Sequence, residues 1–171
     1  MRNGRDEAFT AFMGARYPSI LRTARLLTGG GTQAEDLAQE ALLRTYRAWH
    51  RIGRLEAAEA YTRTTMVRLL IKDRRRKWHA EIPAERLPDV ALPGHEDETA
   101  TGLAVRAVLL TLPPAQRAVL VLRYYHQLGE EEIAGALGCS RGTVKSRAAR
   151  ALAALRERGV LAAVSHDSER S

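Results

Sequence analysis

Apolar residues recur along this chain at intervals of three and four, with charged residues between them, and the strict alternation of a half-buried strand is sparse. The whole chain therefore reads as helical. In the first stretch Phe9, Phe12, Met13, Ile20, Leu21, Ala24 and Leu27 keep an approximately helical spacing, with Pro18 expected to kink or restart the helix. Gly29, Gly30 and Gly31 then stop it. Thr32 and Glu35 form a T-x-x-E capping box that predicts a second helix, with Leu37, Ala41, Leu42 and Tyr46 on one face. A third helix is expected over residues 58–78, where Tyr61, Met66, Val67, Leu70 and Ile71 give way to Lys72, Arg74, Arg75, Arg76 and Lys77. Trp78 closes that basic run and offers a plane that could stack on a base or pack in a core.

The pattern then breaks. Residues 80–101 carry Pro83, Pro88, Pro93, Gly94 and the acidic run Glu96, Asp97 and Glu98, so no long helix can run through them and they read as a linker. The expected fold class is all-α: two small helical domains, residues 1–79 and 102–159, joined by a flexible linker over 80–101 and followed by a tail over 160–171.

Within the second domain, residues 128–150 read LGEEEIAGALGCSRGTVKSRAAR. Ile133, Ala134 and Leu137 recur at helical spacing, and Ala134 is small where a second helix must cross closely. Gly138 supplies the left-handed conformation of a helix end, and Ser140 is placed to cap the helix that follows. That helix turns Val144 inward, leaving Arg141, Thr143, Lys145, Ser146, Arg147 and Arg150 to donate to phosphates or purine edges in a DNA major groove. This is the pattern of a helix-turn-helix.

Composition narrows the partner. The 171 residues hold 27 Lys plus Arg against 20 Asp plus Glu, a formal charge of +7, which favours a polyanion. No apolar run approaches the roughly 20 residues needed to cross a bilayer, and the first residues lack the apolar core of a secretory signal, so a cytoplasmic protein without membrane insertion is expected. The single cysteine, Cys139, fits a reducing compartment and a small buried role in the turn. Five histidines, His50, His79, His95, His126 and His166, are scattered without metal-ligand spacing. The glycines before the second helix lack the Gly-Lys-Ser/Thr of a phosphate loop. No cofactor, metal or catalytic site is expected, and no enzymatic activity.

Three stretches together resemble the extracytoplasmic-function sigma factors of bacterial RNA polymerase, especially the actinobacterial SigE family. They are AEDLAQEALLRTYRAW from Ala34, YTRTTMVRLLIKDRRRKW from Tyr61, and LPPAQRAVLVLRYYHQLGEEEIAGALGCSRGTVKSRAARALAAL from Leu112. The first two look like sigma region 2 and the last like region 4. The resemblance implies that Asp36, Gln39, Glu40, Leu43, Arg44 and Trp49 dock on the clamp coiled coil of the polymerase β′ subunit. It implies that Arg63, Met66, Val67, Arg68, Lys72, Arg74 and Arg75 meet the −10 promoter element, whose non-template bases leave the stack. It also assigns the −35 element, as duplex, to Ser140, Arg141, Thr143, Lys145, Ser146, Arg147 and Arg150.

Relatives usually carry an asparagine where this chain has Arg68 and often an aromatic residue where it has Asp73, which leaves base preference at −10 open. Arginine pairs with guanine edges or phosphate but lacks the donor-plus-acceptor amide that recognises adenine. Core RNA polymerase, through the β′ clamp and the β flap, and promoter DNA are the implied partners; whether an anti-sigma factor also binds is left open. A freestanding helix-turn-helix regulator, dimeric on a palindrome, is the rival reading, but it leaves the basic third helix and the acidic second helix without a shared purpose.

Overall fold

The computed structural model describes the backbone of residues 2–79 and 99–159 and the side chains of 4–73 and 99–159. All regular structure among these residues is helical. The chain divides into two compact units, residues 1–96 and 97–171. Residues 80–98 of the expected 80–101 linker, and the tail over 160–171, lie outside the described residues.

The first unit is three helices, each packed on the other two: α1 (Arg2–Thr28), α2 (Gly31–Ile52) and α3 (Leu55–His79). Helix α1 continues through Pro18 without a restart. The proline removes one i to i−4 bond, and the orphaned carbonyl belongs to Gly14, an exposed residue that water can reach. The turn into α2 uses Gly29, Gly30 and Gly31 at φ of 93°, 101° and 63°, a run that side chains would resist. Here the expected capping box gives way: Gly30 is the N-cap, no side chain caps the helix, and α2 starts one residue before Thr32. The backbone conformation open to glycine sets this start, leaving Thr32 and Glu35 inside the helix.

Helix α2 buries Ala34, Leu37, Ala38, Ala41, Leu42, Thr45 and Ala48, and the alanines and Thr45 are small enough to let α1 and α3 approach closely. Phe12 is fully buried, a contribution of about 2–3 kcal/mol. Phe9 meets Tyr46 and Trp49 edge-on, with ring centroids 5.0 and 5.3 Å away. The amino end of α1 is latched onto the same place: Arg5 Nη2 donates to the Tyr46 carbonyl at 2.6 Å, and Tyr46 Oη donates to Asp6 Oδ1 at 2.7 Å. Tyr46 is therefore half-buried at the rim of the core, tied by both its ring and its hydroxyl. Between α2 and α3 the buried hydroxyls of Thr45 and Thr62 lie 2.8 Å apart, each also within bonding distance of its own i−4 carbonyl. Two protons serve three contacts, so the pair is coupled.

The second unit comprises α4 (Ala100–Leu109), α5 (Pro114–Leu120), α6 (Glu130–Leu137) and α7 (Arg141–Glu157). Thr99 caps α4 by accepting from the Gly102 N–H at 3.1 Å, so this helix begins two residues before the start expected for the domain. Pro114 sits at the start of α5, where its missing N–H costs nothing. Helix α5 passes directly into one π turn, Val121–Tyr125, closed by the His126 N–H donating to the Val121 carbonyl at 3.1 Å. The core of this unit is Leu109, Leu112, Ala118, Val119, Leu120, Val121, Leu122, Ile133, Ala134, Ala136, Val144, Ala148, Ala151 and Leu155.

Arg117 is the exception in that core, 6% exposed. Its Nε and Nη2 donate to the carbonyls of Leu109 and Leu112, both at 2.9 Å, so one guanidinium satisfies the carboxyl end of α4 and the turn beyond it. Arg117→Ala removes both bonds, leaving the Leu109 carbonyl with only the Leu112 N–H at 3.1 Å, and is expected to cost the second unit about 2–4 kcal/mol. Urea unfolding of the full chain checks this: part of the far-ultraviolet helical signal should move to lower urea, while the Trp fluorescence transition, which reports the first unit, stays in place.

Candidate nucleic-acid interface

The order of residues on α6 and α7 creates a two-faced helix pair. Ile133, Ala134 and Ala136 bury one side of α6. Gly138 ends it at φ 64°, in the left-handed region, and the Cys139 N–H donates back to the Ala134 carbonyl at 3.1 Å. Ser140 then caps α7, its Oγ accepting from the Thr143 N–H at 3.1 Å. Before α6, the Gly129 N–H donates to Glu132 Oε2 at 2.8 Å, a tie across the first turn.

Helix α7 has a rotational setting fixed by Val144, Ala148, Ala151 and Leu155, all buried. Arg141, Lys145, Ser146 and Arg150 consequently stand exposed, with Ser140 exposed at the cap and Thr143 and Arg147 half-buried beside them. All seven residues expected at the −35 element are thus gathered on the first three turns of one helix and its cap. Arg147 Nη1 lies 3.9 Å from Cys139 Sγ, which places the thiol half-buried in the turn. Sequence reasoning missed Glu130, whose carboxylate lies 3.7 Å from both Arg141 and Lys145. An acid opening the helix just before a basic one was the available signal.

In the first unit the expected sites are only partly assembled. Asp36, Gln39, Glu40 and Leu43 recur at spacings of three, four and seven and form one stripe of α2, with Leu43 43% exposed. Arg44 flanks it, held to Glu40 by a 2.8 Å ion pair. Trp49 departs from that stripe. Its indole is half-buried on the opposite arc, edge-on to Phe9 and 5.4 Å from the Phe12 ring centroid, so it braces α1 against α2.

On α3 the expectation for two residues is corrected. Met66 is 1% exposed and Val67 0%, both in the core of the three-helix unit, so neither reaches a DNA strand in this conformation. The apolar side chains of α3 were needed to hold it to α1 and α2. Arg68 and Lys72 are exposed and Arg63 is half-buried. Tyr61, 37% exposed, joins Arg68 and Lys72 on one face; its spacing of seven and eleven residues from them was the missed signal. The side chains of Arg74, Arg75 and Trp78 lie outside those described.

Among the described residues no group of three or more His, Cys, Asp or Glu could hold a metal ion, and no helix is long and apolar enough to cross a membrane.

Two parts of one protein family match in order. Sigma-70 region 2 matches residues 12–80, and Sigma-70, region 4 matches residues 102–155. RNA polymerase sigma-E factor of Streptomyces avermitilis is 40% identical over 161 residues, 92% of this chain and 88% of that protein. ECF RNA polymerase sigma factor SigL of Mycobacterium tuberculosis is 32% identical over 163 residues, 90% of this chain and 92% of its own. The chain belongs to the extracytoplasmic-function sigma factors. A second sigma-E factor, from Streptomyces coelicolor, is 41% identical to this sigma factor over 153 residues, 87% of this chain and 84% of its own. The fold is also that of the sigma factor RpoE from Bartonella quintana, solved in complex with the anti-sigma factor NepR. That structure matches at a TM-score of 0.66 and 22% identity, over 88% of this chain and 96% of RpoE.

The cap on α7 sets where its first turn points. Ser140→Ala is expected to remove about 1 kcal/mol from the second unit, read as a lower urea midpoint of the far-ultraviolet signal with the slope unchanged.

Proposed function

We propose that this sigma factor binds core RNA polymerase, selects promoters through −35 and −10 contacts, and assists strand opening at the start of transcription. The observation that carries the reading is the order of the two matched regions on one chain, each with an exposed polar face beside a closed core. The α2 stripe of Asp36, Gln39, Glu40 and Leu43, flanked by Arg44, is the surface for the β′ clamp coiled coil. An exposed leucine ringed by charges fits a contact that forms and releases, since its rim remains hydrated when the partner leaves.

Duplex −35 DNA meets α7. Arg141, Thr143, Lys145 and Ser146 face base edges, while Arg147 and Arg150 grip phosphates and set the register. Separated −10 DNA meets α3, where Arg63, Arg68 and Lys72 neutralise the released strand and Tyr61 offers an exposed ring for a base to stack on. The backbone run through Arg74 and Arg75 extends the same helix. The protein carries out no covalent step and holds no cofactor; nucleotide addition belongs to the polymerase. Residues 1–79 serve core docking and −10 recognition, residues 80–101 link, and residues 102–159 read −35. The cytoplasm is where such a complex works. An anti-sigma factor is a further partner class, by analogy with the RpoE complex.

The test is a pull-down of bacterial core polymerase with the purified chain. Wild type is expected to retain core, and Asp36→Arg/Glu40→Arg to retain it at least about tenfold less through like-charge juxtaposition. The double variant should keep the wild-type far-ultraviolet spectrum, because the two positions are on the outward face of α2. Absence of retention by wild type overturns the docking role and favours a freestanding regulator.

A further inference from the structure

Glu130 opens α6, and its Oε2 lies 3.7 Å from Arg141 Nη2 and 3.7 Å from Lys145 Nζ. The two cations stand one turn apart on α7, where like charges repel. The carboxylate sits at their root, its side chain 27% exposed, while those of Arg141 and Lys145 are 63% and 62% exposed and reach past it. Ion pairs this open to water contribute little to stability. The Ser140 cap and the buried side of α7 already hold the helices together.

What the acid alters is the charge presented to DNA. A phosphate is satisfied by any nearby cation in any orientation, whereas a guanine edge demands donors at the fixed places of N7 and O6. We propose that Glu130 is a specificity-determining positioning residue. It holds Arg141 and Lys145 in one orientation and offsets part of their charge, so that base edges outcompete phosphates for them. The proposal rests on the reading of α7 as the helix that faces duplex DNA.

The experiment uses the full chain and two fluorescent duplexes: one enriched by the wild-type chain from a random-sequence pool, the other a scramble of it. Anisotropy titrations across a salt series give affinities for both. Glu130→Gln is expected to bind the scramble about fivefold more tightly and the enriched duplex nearly unchanged, so the specificity ratio falls about fivefold. Its salt slope on the scramble should steepen by up to about 0.9, the increment of one phosphate contact.

Glu131→Gln removes the same charge from the same exposed first turn of α6. It should strengthen binding to both duplexes alike and leave the ratio intact. Glu130→Asp, which keeps the charge, should recover part of the ratio. A ratio unchanged in Glu130→Gln overturns the proposal, as does an equal fall in Glu131→Gln. If the wild-type chain enriches no duplex at all, the DNA-facing reading of α7 fails and the proposal with it, an outcome separate from a lost ratio.

Discussion

A helix packed along one side has a single rotational setting, and burial of Val144, Ala148, Ala151 and Leu155 imposes it on α7. Everything on the opposite side follows from that constraint. Arg141, Lys145 and Arg150 are exposed because four apolar positions at helical spacing take up the covered side. The constraint reaches back through α5, which packs against α7, to Arg117, whose guanidinium joins α5 to the end of α4. The backbone that carries the outward side chains is therefore held by the core behind it, a condition under which side chains can discriminate between base edges.

The first unit shows the same division with a different outcome. Small residues on α2 bring three helices close, and the hydroxyl pair of Thr45 and Thr62 puts a polar link in the gap. That closeness draws Met66 and Val67 inward and recruits Trp49 to the aromatic group around Phe9. What remains outside on α2 and α3 is a mixed polar stripe and a basic face with one exposed tyrosine.

Most of the helical architecture was legible because it depends on local spacing. The turn at Gly138, the cap at Ser140 and the inward Val144 were all readable from residue type and order. The departures have physical causes that spacing does not carry. Thr32 and Glu35 match a capping box, but the glycines before them let α2 begin earlier. Pro18 breaks the pattern of bonds without breaking α1, since the carbonyl it strands lies on an exposed glycine. Met66, Val67 and Trp49 were assigned by resemblance to a surface role, whereas tertiary packing decides which arc of a helix is covered. Arg117 and Glu130 act through partners outside their own helices, 5 to 15 residues away in sequence, and helical spacing alone does not pair them.

The π turn at the end of α5 holds a consequence for the length of the chain. A π turn accommodates an extra residue within a helix, and here it sets Tyr124 and Tyr125 side by side in solvent before the chain enters α6. Each residue of an α-helix advances its side chains by about 100°. Losing one residue from this segment would swing the segment after it around the axis of α5 by about that angle. The aim of the helix-turn-helix thus depends on a count of residues as well as on their kinds, and at the exposed Tyr124 and Tyr125 substitution should be tolerated far better than insertion or deletion.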